Sequence, residues 1–168
     1  MRRSPRASGN SRPPATSQVV VREAVLSDLD AAADLFDRYR QFQHQSADRA
    51  LARAFLRERF DHGESVIFLA FAADAAVGFA QVYPSFSSVS LSRVFILNDL
   101  FVAEAGRRQG VASRLLGAVE HYAWSLGASR VSLNVARTNA QGQALYEARG
   151  WRRDGEFHMY HRYPDPRG

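Results

Sequence analysis

A chain of 168 residues with 46% apolar content is long enough for one hydrophobic core and too short for two. Its formal charge of +5 points at first to nucleic acid, but Arg2, Arg3, Arg6 and Arg12 lie in the first 17 residues, which carry no acid, so 18 of the 22 basic residues remain against 17 acids beyond them. The absence of cysteine excludes disulfides, thiolate metal sites and cysteine nucleophiles, and the absence of lysine excludes a P-loop.

Residues 1–17 are rich in Arg, Ser and Pro and nearly devoid of large apolar side chains, so they cannot bury enough surface to offset the entropy of ordering. The expectation is a disordered tail followed by a single domain over residues 18–168. The tail lacks the apolar centre of a secretory signal and no later run approaches the ~20 apolar residues of a membrane helix. A cytoplasmic enzyme that binds neither membrane nor nucleic acid is therefore expected.

Val19 to Ala24 begins as a β-branched strand, and Ser27-Asp28 caps a helix with the stripe Leu29, Ala32, Leu35 and Phe36, continued by Tyr39 and Phe42. Ser46-Ala47-Asp48 caps a second helix carrying Leu51, Phe55, Leu56 and Phe60. Ser65 to Ala73 and Ala76 to Tyr83 read as a hairpin turning near Asp74, followed by a polar loop from Pro84 to Ser90. Arg93 to Val102 is a third antiparallel partner. Regular alternation along it puts Asn98, Leu100 and Val102 on one face and Asp99 and Phe101 on the other. A helix bearing Leu115, Leu116, Val119, Tyr122 and Leu126 follows, then a strand from Arg130 to Ala136, a short helix after Asn139 and a final alternating strand from Gly155 to Tyr163.

Two segments carry chemistry. Arg107-Arg108-Gln109-Gly110-Val111-Ala112-Ser113 joins a strand to a helix N-terminus, where free backbone N–H groups and the positive end of the helix dipole face a bound anion. Asn139 to Trp151 supplies a capping Asn, a short helix with Tyr146 and a stopping Gly150. Arg107, two residues, Gly110, one residue, Ala112, and then Asn139, Tyr146, Gly150 and Trp151 at their spacing make the chain resemble the GNAT superfamily of acyl-CoA-dependent N-acetyltransferases. The resemblance spans roughly residues 19–163 and is strongest over 94–151.

The resemblance implies an α+β fold, a mixed and mostly antiparallel central sheet flanked by helices in three layers. It implies acetyl-CoA as acyl donor and a small-molecule amine as acceptor, attacked directly in a ternary complex; a homodimer is left open. It assigns the pantetheine arm to the backbone of the strand ending Leu100-Phe101-Val102, with Phe101 and Val102 supplying the contacts, and the pyrophosphate to amides from Arg108 to Ser113. Their side chains read equally as strand core, and Arg107 and Arg108 equally as a solvated pair. Tyr146 is implied as the general acid that protonates the departing thiolate, against a packing role on its helix. Asn139 either helps fix the cofactor arm or simply caps the helix.

The acceptor must lose a proton, and Asp99 and Glu104 are the nearest carboxylates. Asp99 either binds substrate or a catalytic water, or is structural, and it reaches the cleft only through a bulge of the kind this family often has. Polyamine-acetylating relatives carry Glu before that Asp; Asn98 stands here, which weakens a polyamine assignment. Gly142 replaces the family's usual Ala and loosens the short helix by up to ~1 kcal/mol, and Ala148 removes a basic side chain near the cofactor. His158 and His161 form no metal pattern, and the serines of residues 85–90 lack a nucleophile elbow. Protein acetylation and a non-catalytic acyl-CoA-binding module are the competing readings.

Overall fold

The computed structural model describes residues 18–164, so the expected disordered tail lies outside the described residues. These residues divide into two compact units, one ending at Leu133 and one beginning at Asn134.

The first unit is built on a five-stranded sheet of β1 (Val19–Glu23), β2 (Val66–Ala72), β3 (Ala75–Ser87), β4 (Ser92–Val102) and β5 (Arg130–Leu133), ordered as numbered. Consecutive strands pair antiparallel except β4 and β5, which are parallel. Three helices accompany them: α1 (Leu29–Phe42), α2 (Arg49–His62) and α3 (Val111–Ser125). The pleat sends alternate side chains to opposite faces. On one face Phe79 packs edge-on against Phe36 and Tyr39 of α1, with centroids 6.1 and 5.9 Å away, and Leu56 of α2 joins Ile67 and Leu69 in the same core. On the other face Tyr122 of α3 meets Phe68 at 5.6 Å and Phe95 at 5.5 Å. The unit is therefore three layers deep, with fully buried leucines such as Leu56, Leu69 and Leu115 each contributing about 1.5–3 kcal/mol.

Local chemistry sets the helix starts. The Asp48 carboxylate accepts from the Leu51 N–H at 2.9 Å and caps α2 as expected. Asp28 behaves otherwise: its carboxylate turns back, accepting from the Val25 N–H at 2.8 Å and from both terminal nitrogens of Arg22 at 2.6 and 2.8 Å. A 3-10 turn over Leu26–Asp28 intervenes before α1, so the side chain closes that turn and does not cap the helix. Arg22 holds the Asp28 carboxyl below the ordinary carboxylate range.

Three expected boundaries move. The supposed polar loop from Pro84 continues β3, because Pro84 to Ser87 pair with Phe95 back to Ser92 on β4, and Pro84 sits where no donor is needed from it. The strand expected through Ala136 ends at Leu133, where its pairing with Leu97 ends. Residues 155–163 are not a strand, since alternation without ladder hydrogen bonds does not make one, and Phe157, Met159 and Tyr160 stand exposed.

The second unit holds α4 (Ala140–Ala148), capped by Asn139, whose Oδ1 accepts from the Gly142 N–H at 2.9 Å. A Cβ on residue 142 would lie 2.8 Å from Asn139 Nδ2, so glycine leaves room for this cap where alanine would push it aside. Gly150 ends the turn at φ 84°, a left-handed conformation, and the Trp151 N–H returns to the Tyr146 carbonyl at 3.0 Å.

Candidate active site

β4 changes character at one residue. Ala80 pairs with Leu100 and Gln81 with Asp99, but Val82 pairs with Leu97, so Asn98 is an extra residue on β4. Phe95 faces α3, whereas Phe101 lies 6.5 Å from Phe79 and 6.1 Å from Tyr39 on the α1 face. Phe101 stands six positions after Phe95, an even offset that regular alternation keeps on one face, so only the bulge accounts for the exchange of faces. It carries Asp99 to the α1 face with Gln81 and Phe79.

There Asp99 is buried, at 5% exposure, and hydrogen-bonded through both oxygens. Gln81 Nε2 donates to its Oδ2 at 2.9 Å, Asn98 Nδ2 reaches both oxygens at 3.2 Å, and the Tyr39 hydroxyl donates to it as well. Burial raises the Asp99 carboxyl above the ordinary carboxylate range, against the opposing pull of these bonds. Every one of these donors is neutral. Arg59, the cation that acts on nearby Tyr83, is tied to Glu58 at 2.9 Å, to Glu64 and to the Phe55 ring at 4.4 Å. A buried carboxylate held only by neutral donors suits a proton or an incoming ammonium.

Sequence reasoning had not joined Gln81, Tyr83, Ser65 and Tyr39 to Asp99. Gln81 is wholly buried, the lone amide in the apolar run from Ala76 to Tyr83, and that was the available signal.

Beyond Leu97, β4 keeps β3 on one edge while its pairing with β5 stops. Antiparallel ladders alternate the direction of main-chain groups. Ala103 donates to the Val77 carbonyl at 2.8 Å and the Phe101 carbonyl oxygen approaches Gly78, so Phe101 turns its main-chain groups toward β3 and, contrary to expectation, not toward the free edge. Leu100 and Val102 then present theirs on the outer edge, a row of donors and acceptors suited to an amide-containing arm.

After a 3-10 turn at Glu104–Gly106, which Gln109 Nε2 braces by donating to the Ala105 carbonyl at 2.8 Å, Arg108 adopts φ 61° and Gly110 φ 70°. Left-handed residues on either side of Gln109 turn backbone N–H groups into a concave, anion-binding cradle. Gly110 is the N-cap of α3 and brings no side chain to cover the first-turn amides of Val111 and Ala112. Arg107 and Arg108 are exposed beside it. The cradle, the two guanidinium groups and the outer edge of β4 fit the pyrophosphate and arm of an acyl-CoA.

In the second unit Tyr146 is half-buried, its ring 5.9 Å from that of Trp151. Burial raises its phenol above the ordinary tyrosine range, so it holds its proton throughout the neutral range. Asn139 uses its side-chain oxygen on the α4 cap. Among the described residues, no group of three or more His, Cys, Asp or Glu is arranged to hold a metal, and no helix is long and apolar enough to cross a membrane.

Comparison with known proteins agrees with this arrangement. The uncharacterised N-acetyltransferase YhfO of Bacillus subtilis is 43% identical over 140 residues, covering 83% of this chain and 94% of the relative. The type 1 aminoglycoside N(6')-acetyltransferase of Serratia marcescens is 33% identical over 103 residues, 59% of this chain and 70% of its own. A crystal structure of a probable acetyltransferase superposes with TM-score 0.81 at 42% identity, covering 88% of this chain and 98% of that one. The model of the acetyltransferase (GNAT) family matches residues 29–151. The chain therefore belongs to that family, which makes it an acyl-CoA-using N-acetyltransferase.

Proposed function

We propose that the chain transfers the acetyl group of acetyl-CoA to a primary amine of a small-molecule acceptor, by direct attack in a ternary complex, with the described residues 18–164 acting as one transferase domain. The observation that carries this reading is Asp99, a buried carboxylate without a cationic partner among the described residues, delivered to the α1 face by the Asn98 bulge. The family match supports the single domain, since it runs through both compact units.

Acetyl-CoA supplies the thioester. Amides of the loop from Arg108 to Ser113 hold its pyrophosphate, helped by Arg107 and Arg108, and the outer edge of β4 at Leu100 and Val102 holds its arm. Asp99 takes the proton that an ammonium must lose before its nitrogen can attack. Tyr146 gives its phenolic proton to the departing thiolate and regains one from solvent. Asn139 acts through the α4 cap and so sets the position of Tyr146.

A screen of amines, amino acids, aminoglycosides and peptides, read by release of CoA thiol, tests this. Aminoglycosides belong in it because the Serratia relative is named for them. Turnover with a small amine is the expected result. Turnover with peptides alone makes the chain a protein acetyltransferase, and tight acetyl-CoA binding without turnover on any acceptor makes it a binding module.

A further inference from the structure

Gln81 has no exposure to solvent and sits in mid-strand on β3, where an apolar residue of similar volume would pack without needing partners. Its amide is nevertheless fully used. Nε2 donates to Asp99 Oδ2 at 2.9 Å and to the Tyr83 hydroxyl oxygen at 2.9 Å, and Oε1 accepts from Ser65 Oγ at 3.2 Å. The Asp99 carboxylate fixes which end of the amide is which, because an ionised carboxylate only accepts and Oε1 has no proton to give it. Since the Tyr83 oxygen accepts from Gln81, its own proton is directed elsewhere.

We propose that Gln81 is a positioning residue of the acceptor site: one amide proton holds the Asp99 carboxylate in place, and the other turns Tyr83 outward as a donor. An incoming amine then meets one acceptor, Asp99, and one donor, Tyr83, a pairing that favours amines bearing a hydroxyl or carbonyl close to the nitrogen. The inference rests on the reading of Asp99 as the acceptor-side base.

The groups around Asp99 are Tyr39 from α1, Gln81 and Tyr83 from β3 and its neighbour Asn98 on β4, while Arg59 and Glu64 act on Tyr83. Of the hydrogen bonds to the carboxylate, the one from Gln81 is the shorter of the two amide donations. Removing a donor to the charged form raises a carboxyl's proton affinity. A lost bond is worth a shift of about one pH unit.

The test follows the side-chain carboxyl carbon of Asp99 by NMR against pH in the full chain, which requires no known acceptor. Gln81→Met keeps the volume and removes both donations. The expected result is a titration midpoint about one pH unit higher than in the wild type. Should Gln81→Met not fold, Ser65→Ala removes the hydrogen bond that steadies Gln81 Oε1, and a smaller upward shift is expected. An unchanged midpoint in a folded variant overturns the proposal. With an acceptor in hand, the acid limb of kcat/KM moves up by the same amount, and Gln81→Met costs less activity in an Asp99→Asn background, where only its hold on Tyr83 is left to lose. An equal loss in both backgrounds also overturns it. Full activity of Asp99→Asn, with the NMR shift still present, instead removes Asp99 as the base and leaves its coupling to Gln81 standing.

Discussion

The two halves of β4 share one neighbour and differ in everything else. Val94 to Leu97 pair with β3 on one edge and β5 on the other and bury Val94, Phe95 and Leu97, as a core strand does. Asn98 to Val102 keep β3 alone, carry the bulge, place a carboxylate on the α1 face and leave half their main-chain groups pointing away from the sheet. One inserted residue separates structure from chemistry here. The same contrast recurs between the two candidate subsites. The Gly110 cradle acts through backbone amides, so it depends on dihedral angles, and the Asp99 cluster acts through side chains gathered from α1, β3 and β4.

That contrast is sharpened first by substitutions in the cradle. Nothing lies within 4 Å of a Cβ at residue 110, so Gly110→Glu should fold; its effect comes from φ +70°, unfavourable to L side chains by ~1–2 kcal/mol, and from a carboxylate facing phosphate. Acetyl-CoA affinity measured by calorimetry is expected to fall by more than about 100-fold, whereas Gly110→Ala, which adds strain without charge, should cost only about tenfold. Equal effects of the two would mean that charge plays no part.

Next in size are the proton-transfer residues. Asp99→Asn should lower turnover by about 10²–10⁴-fold and abolish an acid limb in kcat/KM. Because burial raises the Asp99 carboxyl, that limb lies above the ordinary carboxylate range, with activity rising as the group ionises. The sign for stability is opposite. The folded state holds this proton more tightly than the unfolded one, so the contribution of Asp99 to stability falls as pH rises from the ordinary value toward its raised one. Tyr146→Phe keeps the ring beside Trp151 and removes only the proton donor. Turnover should drop toward the lower end of the same range with acetyl-CoA affinity unchanged. Full activity across the pH range would assign thiolate protonation to water.

The smallest effect tests the scaffold alone. Asp48→Ala removes the α2 cap, which is worth about 1 kcal/mol and lowers Tm by roughly 2–4 °C, and should leave acetyl-CoA affinity unaltered.

Elements whose pattern is local were legible in the sequence. α3 follows the stripe Leu115, Leu116 and Val119, all fully buried, and α4 follows the Asn139 cap. The turn at Gly110 into α3 was legible too, because a left-handed backbone leaves its trace as glycine at a fixed place. What depends on a partner strand was not. Pro84 to Ser87 look like loop until β4 pairs with them, and residues 155–163 alternate like a strand but form none. Leu126 and Phe42, placed on apolar stripes, end up 47% and 62% exposed because Phe42 is the last residue of α1 and Leu126 lies one residue past α3. The face of Asp99 turns on a bulge that nothing in Ile96-Leu97-Asn98-Asp99 announces. Gly78 and Gly106 also gained meaning only from the fold: a Cβ on Gly78 would sit 3.0 Å from Val111 Cγ1, and one on Gly106 2.9 Å from Val77 Cβ.

Amide hydrogen exchange with and without acetyl-CoA tests the division of β4 most directly. The amides of Leu100 and Val102, together with those from Arg108 to Ala112, should slow on binding, and those of Val94 to Leu97, already paired on both sides, should not change. Slowing confined to Val94–Leu97, or no slowing in either half of β4 while acetyl-CoA binds, would contradict the account.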